Sequence, residues 1–137
     1  MNLSVIYRGG TKFTVASGAH EVTTDQPVDD GGEDAGMSPV ELFVGSLAGC
    51  VGYFAAKFCA RHGIAAEGFR VEADWGMAEQ PHRVGRVTLR IVLPHPVNPS
   101  QRDRLLQVAR GCTVHRTLEV PPKVEVTVAE TPFSQAG

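Results

Sequence analysis

From Leu42 to Ala56 the chain is almost entirely apolar, interrupted only by Ser46 and the hydroxyl of Tyr53, and this run limits the fold more than any other feature. Ser38, Pro39 and Glu41 stand before it as N-cap, first-turn proline and N3 carboxylate of a capping box. The spacing predicts a helix over 38–63, with Lys57, Arg61 and His62 near its end. An apolar run of about fifteen residues falls short of the roughly twenty that a bilayer span needs. A helix apolar on every side must then be enclosed by protein. Gly45, Gly49 and Gly52 form a small-residue stripe that admits a second backbone at close range. In a chain this short, the available neighbours are its own sheet and the same helix of a second copy, so a homodimer is expected.

At 137 residues and 42% hydrophobic, the chain supports one domain with a modest core. Its net charge of -2 comes from 13 basic and 15 acidic residues, and the basic ones are scattered. That balance recommends neither a nucleic-acid nor a membrane partner. The start, MNLSVIYRGGTKF, lacks a basic-then-apolar signal pattern, and three cysteines are an odd count. A cytoplasmic location with free thiols is the expectation.

Residues 1–24 alternate in short β-like runs, with turns at Gly9-Gly10 and Ser17-Gly18, and read as a meander. The stretch 25–37, DQPVDDGGEDAGM, carries five acidic residues and no basic one, and is expected to be a mobile loop. Region 64–130 returns to a period of two. Phe69, Val71, Ala73 and Trp75 alternate with Arg70, Glu72 and Asp74, and Val87, Leu89, Ile91 and Leu93 with Arg86, Thr88 and Arg90, which predicts two antiparallel strands joined by GMAEQPHRVG. Asn98 and Pro99 open a second helix, with Leu105, Leu106 and Val108 toward the core and Gly111 at its end. A short helix over 113–119, a last strand through Val124, Val126 and Val128, and a frayed tail over 131–137 complete an α+β chain.

The thiols carry the chemistry. Cys50 lies inside the long helix and Cys112 just past Gly111. Cys50 is either a small packing hydrophobe or one half of a peroxide-reducing pair, in which a second thiol at a flexible helix end resolves the oxidised first. Cys59 follows Cys50 by nine residues, about 13.5 Å along the axis and on the opposite face. A disulfide needs Cα atoms within about 7 Å, so these two cannot pair in an intact helix, and Cys59 reads as a packing residue. Glu41 is equally distant from Cys50 in its own helix, so it is either the cap alone or a group acting at a second subunit's site or through an intermediate residue. Cys50, Cys112 and His115 could chelate a metal, but no second close pair of ligands accompanies them. Otherwise His115 is a structural group and Arg116 an ion-pair residue.

The acidic loop followed by SPVELFVGSLAGC, then RHG, two long strands, a helix ending at a cysteine, VHRTL and a closing strand resembles the OsmC/Ohr family of organic-hydroperoxide reductases, from about Tyr7 to Val128. The resemblance implies an OsmC-like intertwined homodimer, with a long central helix packed on curved antiparallel sheets. It implies Cys50 as the peroxidatic thiol and Cys112 as the resolving one, in a peroxidase that holds no bound cofactor or metal and draws on an external dithiol, a lipoylated protein in the better-known relatives. Family members use an N-terminal arginine to polarise the thiolate, for which Arg8 is the nearest candidate. They also carry a carboxylate ten positions before the first cysteine, where this chain has Val40 and Glu41 is displaced by one. Thr113 stands where relatives often have proline. Met37, Phe43, Leu47, Tyr53 and Phe54 either line an apolar pocket favouring organic over hydrogen peroxide or pack the core. A non-catalytic small-molecule-binding or thiol-sensing dimer of the same fold is the alternative to an enzyme, and a metal-binding protein is a more distant one.

Overall fold

Ser38 and Glu41 begin the central helix as their spacing requires. The Ser38 hydroxyl accepts from the Glu41 amide at 3.2 Å, and the Glu41 carboxylate accepts from the Ser38 amide at 3.1 Å. In the computed structural model, which describes residues 1–130, this helix (α1) spans Pro39–Arg61. The tail expected to fray, 131–137, lies outside the described residues. Before α1, strands β1 (Ser4–Tyr7), β2 (Phe13–Ser17) and β3 (His20–Thr24) form an antiparallel meander in the order β1-β2-β3. After it, β4 (Arg70–Ala78) and β5 (Arg83–Val92) form a two-stranded antiparallel sheet, followed by helices α2 (Pro99–Arg110) and α3 (Thr113–Glu119).

Within one chain α1 buries a single stripe: Val44, Leu47, Val51, Ala55, Phe58 and Cys59. These positions recur every three or four residues, so they form one helical face. That face lies on β4, β5, α2 and α3. Burial of a side chain such as Leu47 or Phe58 contributes about 1.5–3 kcal/mol each. The expectation of a helix enclosed on all sides is therefore met on one face only. The glycine stripe also divides: a Cβ on Gly52 would touch Val71 at 3.5 Å, whereas Gly45 and Gly49 face open space. At 23 residues with mean hydropathy 1.5, α1 is long and apolar enough to cross a bilayer. The core helix of a globular domain passes the same test, and α1 carries the core here.

The β4–β5 register pairs Val71 with Ile91, Ala73 with Leu89 and Trp75 with Val87, as the period of two predicts. On the opposite face Glu72 takes an ion pair from Arg70 at 2.8 Å and another from Arg90, whose guanidinium, followed by that of Arg70, holds the carboxyl below its usual range. Being exposed, this triad adds little stability. The strands run further into the expected loop than predicted, to Ala78 and from Arg83. In α2, a second capping box joins Asn98 and Gln101, and Leu105 and Ala109 are buried while Leu106 and Val108 are exposed. Positions 105 and 109 share a face one turn apart, which displaces 106 and 108 from the core.

Two expectations are overturned. The acidic segment 25–37, expected to be too polar and glycine-rich to pack, does pack. It closes around Asp25, which is fully buried and whose carboxylate accepts from the Thr11 hydroxyl and from the amides of Gln26 (2.8 Å), Glu33 (3.1 Å) and Ala35 (3.0 Å). The Thr11 hydroxyl first, then the Ala35 amide, hold its carboxyl well below the usual carboxylate range. Added Cβ atoms at Gly32 and Gly36 would collide with the carbonyls of Gln26 and Thr23 at 1.9 and 2.3 Å, so glycine is required there by close approach. Because the folded-state value is depressed, Asp25 stabilises the loop above its unfolded value of about 3.9 and loses that contribution as pH falls below it. Asp25→Ala is expected to lower the melting temperature at pH 7 and to speed hydrogen exchange at Glu33 and Ala35, and the penalty should shrink toward pH 3. Unchanged exchange at both amides would overturn this role.

The second correction concerns the closing strand. Residues 120–130 form no regular element, and Val124, Val126 and Val128 are 78%, 88% and 90% exposed. The alternation of a strand is present in the sequence, but among the described residues no strand pairs with it to complete the hydrogen bonds.

Candidate active site

Cys50 lies on α1, on the face it shares with Phe43, Leu47 and Phe54 at helical spacing. It is half-buried. It packs against a buried cluster of Leu47, Val51, Ala109 and Cys112, in which Cys112 is wholly excluded from solvent. The two thiols expected to meet are therefore brought together in one packed cluster. Both remain free. Cys112 is not on a flexible end, as its position after Gly111 predicted. It is the N-cap of α3, and its sulfur accepts from the His115 amide at 3.4 Å. Burial pushes its thiol up, and the neighbouring Cys50 adds to that, against the amide that favours a thiolate. Cys112 is thus held as a protonated thiol beside the partly accessible Cys50.

Cys59 is buried in the core stripe of α1, half a turn around the helix from Cys50, and burial raises its thiol. It packs, as the helical geometry predicted. Reduced protein treated briefly with iodoacetamide at pH 8 is expected to carry one adduct, at Cys50, because only that thiol is accessible. A first adduct at Cys59 or Cys112, read by peptide mass, would contradict this order.

The other expected site residues are dispersed in a single chain. Arg8 donates from Nε to the Thr14 hydroxyl at 3.0 Å within the meander, which packs on itself and does not reach Cys50. Glu41 is engaged in the capping box of α1. Leu47 lines a cleft of about 250 Å³ with Val51, Leu89, Ala109, Arg110 and His115, and it also borders a groove of about 360 Å³ that Phe43 lines. Phe54 packs against the Cys112 cluster. Tyr53 is on the open face of α1, edge-on to Phe54 with centroids 5.2 Å apart and with Lys57 Nζ 5.4 Å from its ring. Met37 precedes the helix, and its carbonyl accepts from Thr24 Oγ1 at 2.7 Å. These five side chains do not enclose one pocket within the protomer.

His115 lies beside the thiols through its backbone, while its Nε2 is 3.6 Å from Glu119. Among the described residues no three His, Cys, Asp or Glu side chains come together as a metal-ligand set. Sequence reasoning missed Arg110 and the organising role of Asp25. Arg110 had no signal beyond helical spacing, and Asp25 is one of five similar acidic residues.

The architecture defines a class: an α+β domain in which a long apolar helix presents one cysteine over a second that caps a short helix. The chain belongs to the OsmC-like protein family, whose model matches residues 31–127. No curated protein matches it. Among solved structures, a Psychrobacter arcticus protein described by osmotic stress induction and detoxification response aligns at 25% identity and a TM-score of 0.79, over 85% of this chain and 87% of that one. An organic hydroperoxide resistance protein OsmC from Legionella pneumophila aligns at 18% identity and a TM-score of 0.63, over 86% and 89% of the two chains. An OsmC-like protein of unknown function from Vibrio cholerae aligns at 16% identity and a TM-score of 0.70, over 87% and 94%. The family and fold follow; relatives with and without an assigned activity share them.

Proposed function

We propose that the protein is a thiol-dependent peroxidase that reduces organic hydroperoxides through Cys50 and Cys112. The observation that carries this reading is the contact between a half-buried thiol on α1 and a fully buried one capping α3. The Cys50 thiolate attacks the terminal peroxide oxygen and the O–O bond breaks. The alkoxide takes a proton and leaves as the alcohol, and Cys50 becomes a sulfenic acid. The Cys112 sulfur then attacks the Cys50 sulfur, water leaves, and a disulfide forms. An external dithiol returns two electrons and two protons to the pair. The apolar cleft against Leu47 and Val51 favours substrates with a hydrocarbon body over hydrogen peroxide.

The working unit in this proposal is an intertwined homodimer. It would cover the open face of α1, supply an edge for Val124–Val128, and bring the meander with Arg8 toward a thiol of the partner copy. The test is to treat reduced protein with one equivalent of cumene hydroperoxide, block free thiols, digest without reductant and map linked peptides. A Cys50–Cys112 disulfide is expected, formed faster than with equimolar hydrogen peroxide. If both thiols stay free, the protein is a binding or sensing member of the fold instead.

A further inference from the structure

Lys57 and Arg61 lie one turn apart on α1, and Arg104 faces them from α2 across a cleft of about 420 Å³. His62 completes the basic rim, while Phe54 and Val108 supply apolar surface. No acidic side chain lines this cleft, and among the described residues none of the four basic groups forms an ion pair. Like charges at i and i+4 destabilise a helix, and here a third cation is added from the opposite wall in a chain whose net charge is negative. The negative end of the α1 dipole favours the cation in its last turn but does not account for Arg104, which sits mid-helix in α2. The His62 ring stacks on Phe58 at 4.0 Å with its Nδ1 at 2.9 Å from the Phe58 carbonyl, so one side of the rim is fixed in place.

We infer that this cleft binds a small organic phosphate, with a dianionic head between Arg61, Arg104 and Lys57 and a flat apolar body against Phe54 and Val108. Two guanidinium forks and an ammonium suit three phosphate oxygens, whereas one arginine suffices for a carboxylate. The cleft lies further along α1 than Cys50 and is lined by neither thiol, though Phe54 borders both, and the inference does not depend on the peroxidase reading.

Adenosine monophosphate is the probe, titrated calorimetrically into the reduced full-length protein. Adenosine and inorganic phosphate serve as the arms that separate body from head. Adenosine monophosphate is expected to bind at least about tenfold more tightly than either arm, because both halves of the site contribute. The double substitution Arg61→Gln/Arg104→Gln removes two charge-assisted contacts at exposed positions and should weaken it by at least about tenfold, while Lys123→Gln leaves it unchanged. Absence of binding, equal affinity for inorganic phosphate, or affinity unmoved by the double substitution in a folded protein would each overturn the assignment.

Discussion

Cys50→Ser is expected to lower dithiol-dependent reduction of cumene hydroperoxide by at least about a thousandfold, since no other accessible thiol can replace the nucleophile. Cys112→Ser should differ in kind. The first turnover still proceeds, a sulfenic acid accumulates at Cys50, and continued peroxide drives it to the sulfinic acid. Multiple turnover then falls while a single-turnover burst survives. Cys59→Ala should retain turnover and cost about 1 kcal/mol of stability from the small cavity left in the core. Initial rates, together with intact mass after one and ten equivalents of peroxide, separate the three variants. A folded Cys59→Ala protein without activity would mean that the wrong pair is assigned, and an active Cys50→Ser protein would remove the thiol mechanism altogether.

The buried position of Cys112 sets a condition on this cycle. A thiol raised by burial is a poor nucleophile at neutral pH, so resolution depends on the Cys112 proton passing to the Cys50 sulfenic hydroxyl as the S–O bond breaks and that hydroxyl departs as water. The amide of His115 aimed at its sulfur partly offsets that, because it favours the thiolate as charge develops. The same burial means that Cys112 contributes stability below its unfolded value near 8.5, and that contribution declines as pH rises above it.

Elements closed by local contacts were legible in the sequence. Ser38 with Glu41 begins α1 and Asn98 begins α2 through bonds three residues long, and alternation alone showed which residues of β4 and β5 share a face. What depends on distant partners was not. Asp25 differs from Asp29 or Asp30 only in meeting Thr11, fourteen residues earlier, and in turning the chain so that Glu33 and Ala35 point back at it. Spacing brought Cys50 and Cys112 forward as a pair, and their contact is present. The same reasoning placed Cys112 on a flexible end because Gly111 stops α2, without weighing that a cysteine can itself cap the next helix. Val124, Val126 and Val128 carry the pattern of a strand whose pairing edge is not in the chain. Arg8 lies in a sheet that stands off from the thiols. Under the proposed dimer, a second copy would bring the missing group in both cases.

Gly49 provides the sharpest test of that second copy, because the sign of the effect differs between the two possible states. A Cβ at this position meets nothing within 4 Å in the protomer. If the protein worked as a monomer, Gly49→Ala would stabilise it by up to about 1 kcal/mol through helix propensity alone, and Gly49→Leu would do nearly as well. If two α1 helices approach along the Gly45–Gly49 face, Gly49→Leu inserts a side chain twice across a two-fold axis. Overpacking costs about 1–3 kcal/mol per insertion, so the dimer would weaken by about 2–6 kcal/mol, at least about thirtyfold in dissociation constant. Light scattering at micromolar concentration should give twice the 14.7 kDa chain mass for the native protein and a concentration-dependent fall toward one chain for Gly49→Leu. Because the core stripe of Leu47, Val51 and Phe58 lies on another face of α1, the variant should keep its helical content. A native protein that runs at a single chain mass, or a Gly49→Leu protein that is more stable and unchanged in mass, would remove the dimer and with it the route by which Arg8 could approach Cys50.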